Sequence, residues 1–256
     1  MQLIDTHCHL DVEEFAADRD AVVARAQAAG VSDFVIPGIH RGEWPELLDF
    51  CRGKPHLHPA LGLHPVYLQR HDNADLEALP LWVERERPVA IGEIGLDFYV
   101  RDLDRARQQF VFERQLAVAR DFALPVLLHV RKAHDTMLQT LRRVRSAGGI
   151  CHAFNGSLQQ AGQYLELGFR LGFGGMLTYP RSSKLRALAA ALPLEAIVLE
   201  TDAPDLTVAS HRFERNSPEY LPEVLQALAE VRNADPLELA AATTRNARAV
   251  LRLAAG

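Results

Sequence analysis

Residues 2–9 read Gln2-Leu3-Ile4-Asp5-Thr6-His7-Cys8-His9, a short apolar run followed at once by ionisable side chains. The run is too short for a helix and has the length of a buried strand. His7 and His9 are two residues apart, so both imidazoles point to the same side of an extended chain. This stretch predicts a buried strand that ends in a pair of convergent histidines.

Similar apolar runs recur along the chain, and longer stretches with helical periodicity separate them, which is typical of a parallel sheet. The predicted strands cover residues 2–5, 34–36, 59–61, 89–91, 126–128, 149–151, 170–173 and 197–199. Helical stretches cover residues 19–29, 104–122, 157–167 and 182–192, and two more begin at residues 217 and 235. We therefore expect an α/β protein, a (β/α)8 TIM barrel, with residues 1–256 in a single domain.

The composition is that of an ordinary globular protein, with 48% hydrophobic and 24% charged residues. A formal net charge of −5 disfavours a surface broadly dedicated to duplex nucleic acid, so any polyanion has to be held locally. The three cysteines are too few and too scattered for a disulfide framework. With no basic leader and no long apolar run, a cytoplasmic protein without membrane association is expected, and a monomer is the default.

Ionisable side chains stand at the carboxyl ends of the predicted strands. They are Asp5, His7 and His9 after the first strand, His64 after the third, Glu93 after the fourth, His129 after the fifth, His152 after the sixth and Asp202 after the eighth. Active sites of α/β barrels are assembled at this face from the ends of several strands. The barrel therefore predicts that these side chains, distant in sequence, converge in space.

Each of these residues also has an ordinary explanation when it is taken alone. A lone His-x-His pair is a weak signal, Glu93 is equally a buried acid paired with an arginine, and Asp202 is equally a helix cap. His129 and His152 taken singly are more often core histidines. Their number changes the interpretation, because each buried polar group needs its own partner and metal binding accounts for all of them together.

The same residues resemble a known family, the TatD-type metal-dependent deoxyribonucleases of the amidohydrolase superfamily. The resemblance covers nearly the whole chain and rests on an ordered set of motifs: Asp5-Thr6-His7-Cys8-His9-Leu10-Asp11, Gly62-Leu63-His64-Pro65, Gly92-Glu93-Ile94-Gly95-Leu96-Asp97, Leu128-His129, His152, Glu200-Thr201-Asp202-Ala203-Pro204 and Arg215-Asn216-Ser217-Pro218. The segments at 155–161 and 174–181 further resemble the YjjV-like branch of the family.

The resemblance implies a centre of two divalent cations bridged by Glu93. The implied ligands are His7, His9 and Asp202 for one cation, and His129 and His152 for the other. An imidazole-rich shell suits zinc, manganese or a similar ion better than magnesium, which prefers oxygen ligands. The chain is thus expected to be a metal-dependent hydrolase acting on ester bonds.

As a hypothesis, a metal-activated water attacks the phosphorus of a phosphodiester. The catalytic residues would be Asp202, as base or orienter, with Glu93 and His64. His64, Arg131 and Arg215 are the candidates for contacting phosphate. The expected partner is DNA or another phosphodiester, at a 3′ end or in short or single-stranded form, because the positive charge of such a centre is local.

Two positions depart from the family pattern. The chain has His152-Ala153-Phe154-Asn155-Gly156 where the family commonly has His-Cys-Phe-Ser-Gly, and Phe213-Glu214 stand before Arg215 where a basic pair is usual. Both changes leave the expected metal ligands in place, and the second removes positive charge that would hold a nucleic-acid backbone.

Other readings of the same residues stay open. One is a hydrolase of small esters, amides or phosphotriesters, since the same chemistry serves them all. A protein that binds metal and has lost turnover is an alternative of a different class. Two further histidines, His134 and His211, are expected to be exposed loop residues.

Overall fold

The structure is a computed structural model and describes residues 2–254. Its eight strands form one parallel sheet in the order β1 to β8. The strands are β1 Leu3–Asp5, β2 Val31–Pro37, β3 Leu57–Leu61, β4 Ala90–Asp97, β5 Val126–Arg131, β6 Gly149–Cys151, β7 Phe169–Phe173 and β8 Ile197–Leu199. Beyond the strand ends, the backbone N–H and the hydroxyl of Thr6 both donate to the Leu199 carbonyl, at 3.1 and 3.0 Å. These bonds join the first strand to the last, so the predicted barrel is confirmed.

Helices alternate with the strands along the chain. Within residues 2–254 they are α1 Arg19–Ala28, α2 Trp44–Cys51, α3 Asn73–Glu86, α4 Arg105–Asp121, α5 His134–Arg143, α6 Leu158–Glu166, α7 Ser183–Ala191, α8 Leu221–Arg232 and α9 Pro236–Leu251. Local caps fix several starts: Asp104 accepts from two backbone amides at the start of α4, and Ser157 and Gln160 form a capping box at α6. None of the helices in the described residues is long and apolar enough to cross a bilayer.

Two strands continue beyond their predicted ends. β4 reaches Asp97 and β5 reaches Arg131, and the two pair in parallel register as far as those residues. Glu93 and His129 therefore lie inside strands instead of following them. The prediction stopped at the end of each apolar run, but backbone pairing with a neighbouring strand continues through polar residues that face the barrel interior.

The apolar residues of the strands form two layers, one on each face of the sheet. Outward-facing side chains such as Phe34, Leu128 and Leu171 belong to the large core between the sheet and the helices. Inward-facing side chains fill the amino-terminal half of the barrel: Ile4, Val35, Ala60, Ala90, Leu127, Ile150 and Val198. We call these seven residues the lower layer. Burial on both faces explains why the strands read as nearly continuous apolar runs.

The last helix closes the lower end of the barrel. Ala247 and Leu251 of α9 pack in the same cluster as the lower layer and are almost completely buried. The Thr244 hydroxyl also donates to the carbonyl of Gln2, at 2.8 Å, which ties α9 to the chain just before β1. The barrel is therefore sealed at this end, and the opposite end carries the polar residues.

Candidate metal centre

Strand geometry brings the ionisable residues to the carboxyl-terminal rim. Side chains at i and i+2 of a strand point to the same face, and Leu127 and Ile150 face the barrel interior. The residues two positions further on are His129 and His152, which lie on the same face at the rim. Both are buried, at 8% and 6% exposed, although imidazoles are polar.

The Glu93 carboxylate is the centre of this group, and its two oxygens face different sets of imidazoles. Oε1 lies 3.0 Å from His129 Nδ1, 3.2 Å from His152 Nε2 and 3.3 Å from His64 Nε2. Oε2 lies 3.1 Å from His7 Nε2 and 3.5 Å from His9 Nε2. Five histidines, from the carboxyl-terminal ends of three strands and from the loop after β3, thus surround one buried acid.

Asp202 lies on the far side of the first two histidines. Its Oδ1 atom is 3.7 Å from the Nε2 atoms of both His7 and His9. The loop that carries it is held by the completely buried Asn216, whose amide donates to the carbonyls of Thr201 and Asp205 at 2.8 and 2.6 Å. The position of Asp202 therefore depends on bonds to residues on both sides of it.

Two further carboxylates orient the rim histidines. Asp97 Oδ2 lies 3.0 Å from His129 Nε2, so the other ring nitrogen, Nδ1, faces the centre. Glu200 Oε1 lies 3.5 Å from His152 Nδ1, which leaves Nε2 facing the centre. Carboxylates placed behind ligating imidazoles fix their orientation and raise their basicity, a common arrangement at metal sites.

Burial and mutual charge shift the pKa values of these groups in opposite directions. Burial lowers the pKa of His7 to about 3, with a contribution from the nearby His152, and it lowers the pKa of His64 to about 4. Burial alone would raise the pKa of Glu93, but the surrounding imidazoles hold it well below its usual range. The centre therefore keeps an ionised Glu93 next to two neutral rings.

Other members of the group hold protons more strongly. Burial disfavours a charged ring at His9, but the Glu93 and Asp202 carboxylates outweigh it and raise its pKa to about 9. The same balance raises the pKa of His152 well above its usual value. Burial raises the pKa of Asp202 to about 6, against the opposing effect of the histidines.

The donor set fits divalent cations. Three groups of ligand atoms lie within 4.8 Å of one another at the rim: His7, His9 and Asp202; His7, Glu93 and His152; and His64, Glu93 and His129. Within residues 2–254, the buried Nδ1 atoms of His7, His9 and His152 have no hydrogen-bond partner. Imidazoles packed against buried carboxylates, once they have lost their protons, are the donors that zinc and manganese bind.

A cavity of about 890 Å³ opens over this centre. His9, His64, Glu93 and Asp202 line its floor together with His129 and His152. Its walls combine apolar side chains with Arg131 at the end of β5 and with the cations and hydroxyls that follow β7, which are Arg181, Ser182, Ser183 and Lys184. A concave, partly apolar space above convergent polar groups is the usual form of a substrate site.

The two predicted phosphate-binding arginines are placed differently. Arg131 lines the cavity, with its guanidinium 3.6 Å from Asp97 Oδ2. Arg215 is absent from the cavity lining; it makes two hydrogen bonds to the Asp18 carboxylate, at 2.9 and 2.7 Å. The structure thus brings Arg131 and His64 to the centre, whereas Arg215 is held by an acid on a neighbouring loop.

The expectation for His134 was wrong, because it is a buried residue at the start of α5 and not an exposed loop histidine. Its ring lies 3.1 Å from the Tyr164 hydroxyl and 3.1 Å from the Asn155 side-chain oxygen. Partners contributed by α6 and the preceding loop stabilise it in the core. His211 is partly exposed at the end of the short 3-10 helix Ala209–His211 and stacks on Tyr220.

No role was predicted from the sequence for the orienting residues Asp97, Glu200 and Asn216, although all three lie in the motifs quoted above. A signal for Glu200 existed: it stands two residues after Val198, a lower-layer position, and therefore faces the interior. Asp97 and Asn216 act across neighbouring elements, and the apolar pattern of one strand does not contain that information.

Fold and site together define the class: a metal-dependent hydrolase built on an α/β barrel. Over residues 4–252 the chain matches the family model described as TatD related DNase. The chain therefore belongs to the TatD family of metal-dependent hydrolases, which confirms the resemblance.

Individual relatives agree with this assignment. An uncharacterized metal-dependent hydrolase of Escherichia coli K12, YjjV, is 40% identical, with 96% of each chain covered. The crystal structure of YjjV, a TatD homolog, superposes with a TM-score of 0.95 at 38% identity and 98% coverage of each chain. The 3′-5′ ssDNA/RNA exonuclease TatD of Salmonella typhimurium is 36% identical over 96% of this chain and 97% of its own.

Proposed function

We propose that this protein is a phosphodiesterase that removes nucleotides from the 3′ ends of single-stranded DNA and uses a pair of divalent cations bridged by Glu93. The observation that carries the proposal is the division of the Glu93 oxygens between two sets of imidazoles. Oε1 faces His64, His129 and His152, and Oε2 faces His7 and His9, with Asp202 beyond them. The exonuclease name of a relative at 36% identity adds support for the substrate.

The proposed ligands are those expected from the sequence: His7, His9 and Asp202 on one side, His129 and His152 on the other, and Glu93 between them. Bound there, divalent cations supply Lewis acidity and lower the pKa of a water molecule. The imidazole donors favour zinc or manganese over magnesium.

Asp202 is the proposed proton acceptor. In the metal-free protein burial raises the pKa of this carboxyl to about 6, so it is mostly ionised near pH 7 and able to accept a proton. The side chain lies in the cavity lining and is 16% exposed, so an attacking water reaches it from the substrate side. Asp202 takes the proton while the water oxygen forms its bond to phosphorus and the bond to the leaving sugar oxygen breaks.

His64 is the proposed hydrogen-bond donor to the reacting phosphate. The Val66 backbone N–H donates to His64 Nδ1 at 3.1 Å, so the ring proton of the neutral imidazole lies on Nε2, the atom that faces the centre. Because burial lowers the pKa of His64 to about 4, the ring stays neutral near pH 7 and keeps that single proton. This arrangement favours a catalytic role for His64 over a metal-ligand role.

Arg131 is the proposed charged contact to a phosphate oxygen at the cavity wall. The role of Arg215 in phosphate binding stays a prediction, and it requires the guanidinium to leave the Asp18 carboxylate. The cytoplasmic location and the monomeric state also stay predictions from the sequence.

The proposal is tested by metal analysis of the purified protein followed by a substrate panel. The manganese-loaded protein is expected to hydrolyse bis(p-nitrophenyl) phosphate and to shorten 5′-labelled single-stranded DNA progressively from its 3′ end. A duplex with blunt ends is the matched control and should be shortened more slowly. Turnover of acyl esters, lactones or phosphotriesters, with no phosphodiester cleaved at saturating manganese, would establish the small-molecule hydrolase instead. Metal binding with no turnover of any substrate would indicate a binding protein.

A further inference from the structure

A second, smaller cavity of about 360 Å³ lies beside the substrate cavity, between the loops that follow β4 and β5. Its lining consists of Phe98, Tyr99, Arg101, Arg105 and Lys132. We call these five residues the basic pocket. It brings three cations and two aromatic rings to one small surface of a chain whose formal net charge is −5.

The cations of the basic pocket lack acidic partners. In the described residues 2–254, Arg101, Arg105 and Lys132 form no ion pair with a carboxylate, whereas the nearby Arg131 has Asp97. The adjacent Asp104 carboxylate is occupied by the backbone amides of Ala106 and Arg107 at the start of α4. A cluster of positive side chains that has no carboxylate partner within the protein is suited to bind an anionic ligand.

A cationic side chain lies close to each aromatic ring of the pocket. The Arg105 guanidinium lies 4.6 Å from the centre of the Phe98 ring, and the Lys132 ammonium lies 5.1 Å from that of Tyr99. The Tyr99 side chain is 54% exposed. Phosphate-binding cations interleaved with exposed rings are the combination that binds single-stranded nucleic acid, because every base offers a face for stacking.

The basic pocket adjoins the substrate cavity. Arg131 lines the cavity, and its guanidinium lies 4.2 Å from the centre of the Tyr99 ring, so these two side chains form the wall between the two spaces. The wall is anchored to the metal centre. Asp97 Oδ1 accepts from the backbone amides of Tyr99 and Val100 at 2.9 and 3.0 Å, and Asp97 Oδ2 contacts His129.

We infer that the basic pocket binds the nucleotide next to the one that is cleaved from a single strand. Arg101, Arg105 and Lys132 hold its phosphate, and its base stacks on the exposed Tyr99 ring and the Arg131 guanidinium. The inference rests on the proposed function and deepens it, because it assigns a longer single strand, and not a small diester, as the preferred substrate class.

The test compares two triple variants that remove the same positive charge. Arg101→Gln, Arg105→Gln and Lys132→Gln together empty the basic pocket of cations, while Arg87→Gln, Arg120→Gln and Arg145→Gln remove three exposed cations at the opposite end of the barrel. The ligand is a fluorescent single-stranded hexanucleotide with phosphorothioate linkages that resist hydrolysis. Its affinity for each manganese-loaded protein is measured by fluorescence anisotropy over a range of salt concentrations.

The pocket variant is expected to bind the hexanucleotide about tenfold or more weakly than wild type, and the slope of log affinity against log salt should fall by about 0.7 for each lost phosphate contact. The control variant should stay within about twofold of wild type, since its charges lie away from the strand. Tyr99→Leu should weaken binding of the hexanucleotide without changing the slope of log affinity against log salt, because stacking on the ring involves no charged contact.

Equal losses in the two triple variants, or no binding of the hexanucleotide to wild type, would overturn the inference. The proposed function is judged separately, by hydrolysis of bis(p-nitrophenyl) phosphate by wild type. If wild type does not hydrolyse this diester, but only the pocket variant binds the hexanucleotide more weakly, the inference about the basic pocket is supported and the proposed phosphodiesterase activity is refuted.

Discussion

At the amino-terminal end of the barrel the inward-pointing side chains are apolar, and two residues further along the same strands they are ionisable. Leu127 and Ile150 are succeeded on the inner face by His129 and His152. Both halves belong to the same eight-stranded parallel sheet. The difference shows that neighbouring inward positions of the same strands have different roles. The lower layer stabilises the fold, and the residues at the rim form the metal centre.

The largest effect should come from the rim. Asp202→Asn keeps the size of the side chain but removes the proposed proton acceptor, so turnover of a phosphodiester should fall by about 10²–10⁴-fold. The thermal midpoint should move little, because the substitution leaves the lower layer intact. Glu214→Gln makes the same charge change at an exposed position of the same loop that does not line the cavity, and it should retain most activity. Unchanged turnover in Asp202→Asn would remove that residue from the mechanism.

The converse substitution tests the lower layer. Leu127 is completely buried, and Leu127→Ala should lower the free energy of unfolding by about 2–5 kcal/mol through lost burial and a cavity. Turnover per folded molecule should stay near that of wild type. Leu81→Ala removes the same atoms from a side chain that is 67% exposed and should change stability by less than about 0.5 kcal/mol. Denaturant unfolding and active-site titration measure the two quantities, and a Leu127→Ala protein that is stable but inactive would contradict the division of tasks.

A loss of metal affinity of intermediate size is expected from a substitution where two strands pack closely. A Cβ atom at Gly172 would lie 2.0 Å from Glu200 Oε2, so Gly172→Ala has to displace the carboxylate that orients His152. Metal affinity should fall by about 10–100-fold, as is usual when such a partner is lost.

Gly162→Ala is the matched control for that substitution, because an added Cβ in α6 meets nothing within 4 Å. This change should leave metal affinity unaltered and stabilise the helix by about 0.5–1 kcal/mol. Competition with a fluorescent chelator measures the affinities. Equal affinities in the two glycine variants would show that Glu200 does not support the centre.

The pH dependence of metal uptake tests the charge states of the rim. His9, with a pKa of about 9, and His152, with a pKa well above its usual value, hold protons at neutral pH in the metal-free protein. These protons have to leave when the rings ligate a cation, so affinity should rise with pH until about pH 9, by up to about tenfold per pH unit for each proton released. Calorimetry in buffers of different ionisation enthalpy counts the protons, and uptake without proton release would contradict the charge states assigned to the rim.

Much of the rim was predictable because it follows strand alternation. The apolar runs locate the strands, and in β5 and β6 the next inward position after the run is the ionisable residue. β4 breaks this rule. Ala90 faces the interior, and the register of β4 with β5 shifts between Ile91 and Ile94. Glu93, at an odd spacing from Ala90, therefore faces the same side, and only its place between glycines in a recognisable motif pointed to it.

Contacts between distant elements were less predictable. Arg215 and Asp18 are 197 residues apart, and nothing in either segment identifies the other as a partner. The bond between His129 and Asp97 likewise depends on the register of two strands. Sequence patterns predict the face of a strand or helix on which a side chain lies. Pairings between distant residues depend instead on how the strands and helices pack together, and the whole hydrophobic core determines that packing.

The closure of the barrel by α9 has a consequence for how the protein folds. The lower layer draws on strands from Ile4 to Val198, and Ala247 and Leu251 complete it only when the last helix has docked. Until α9 docks, the lower layer lacks the cover of these two side chains, and its apolar residues are open to water and to non-native contacts. Folding to the native state is therefore tied to the docking of α9, and chaperone dependence should be greatest before this helix has docked.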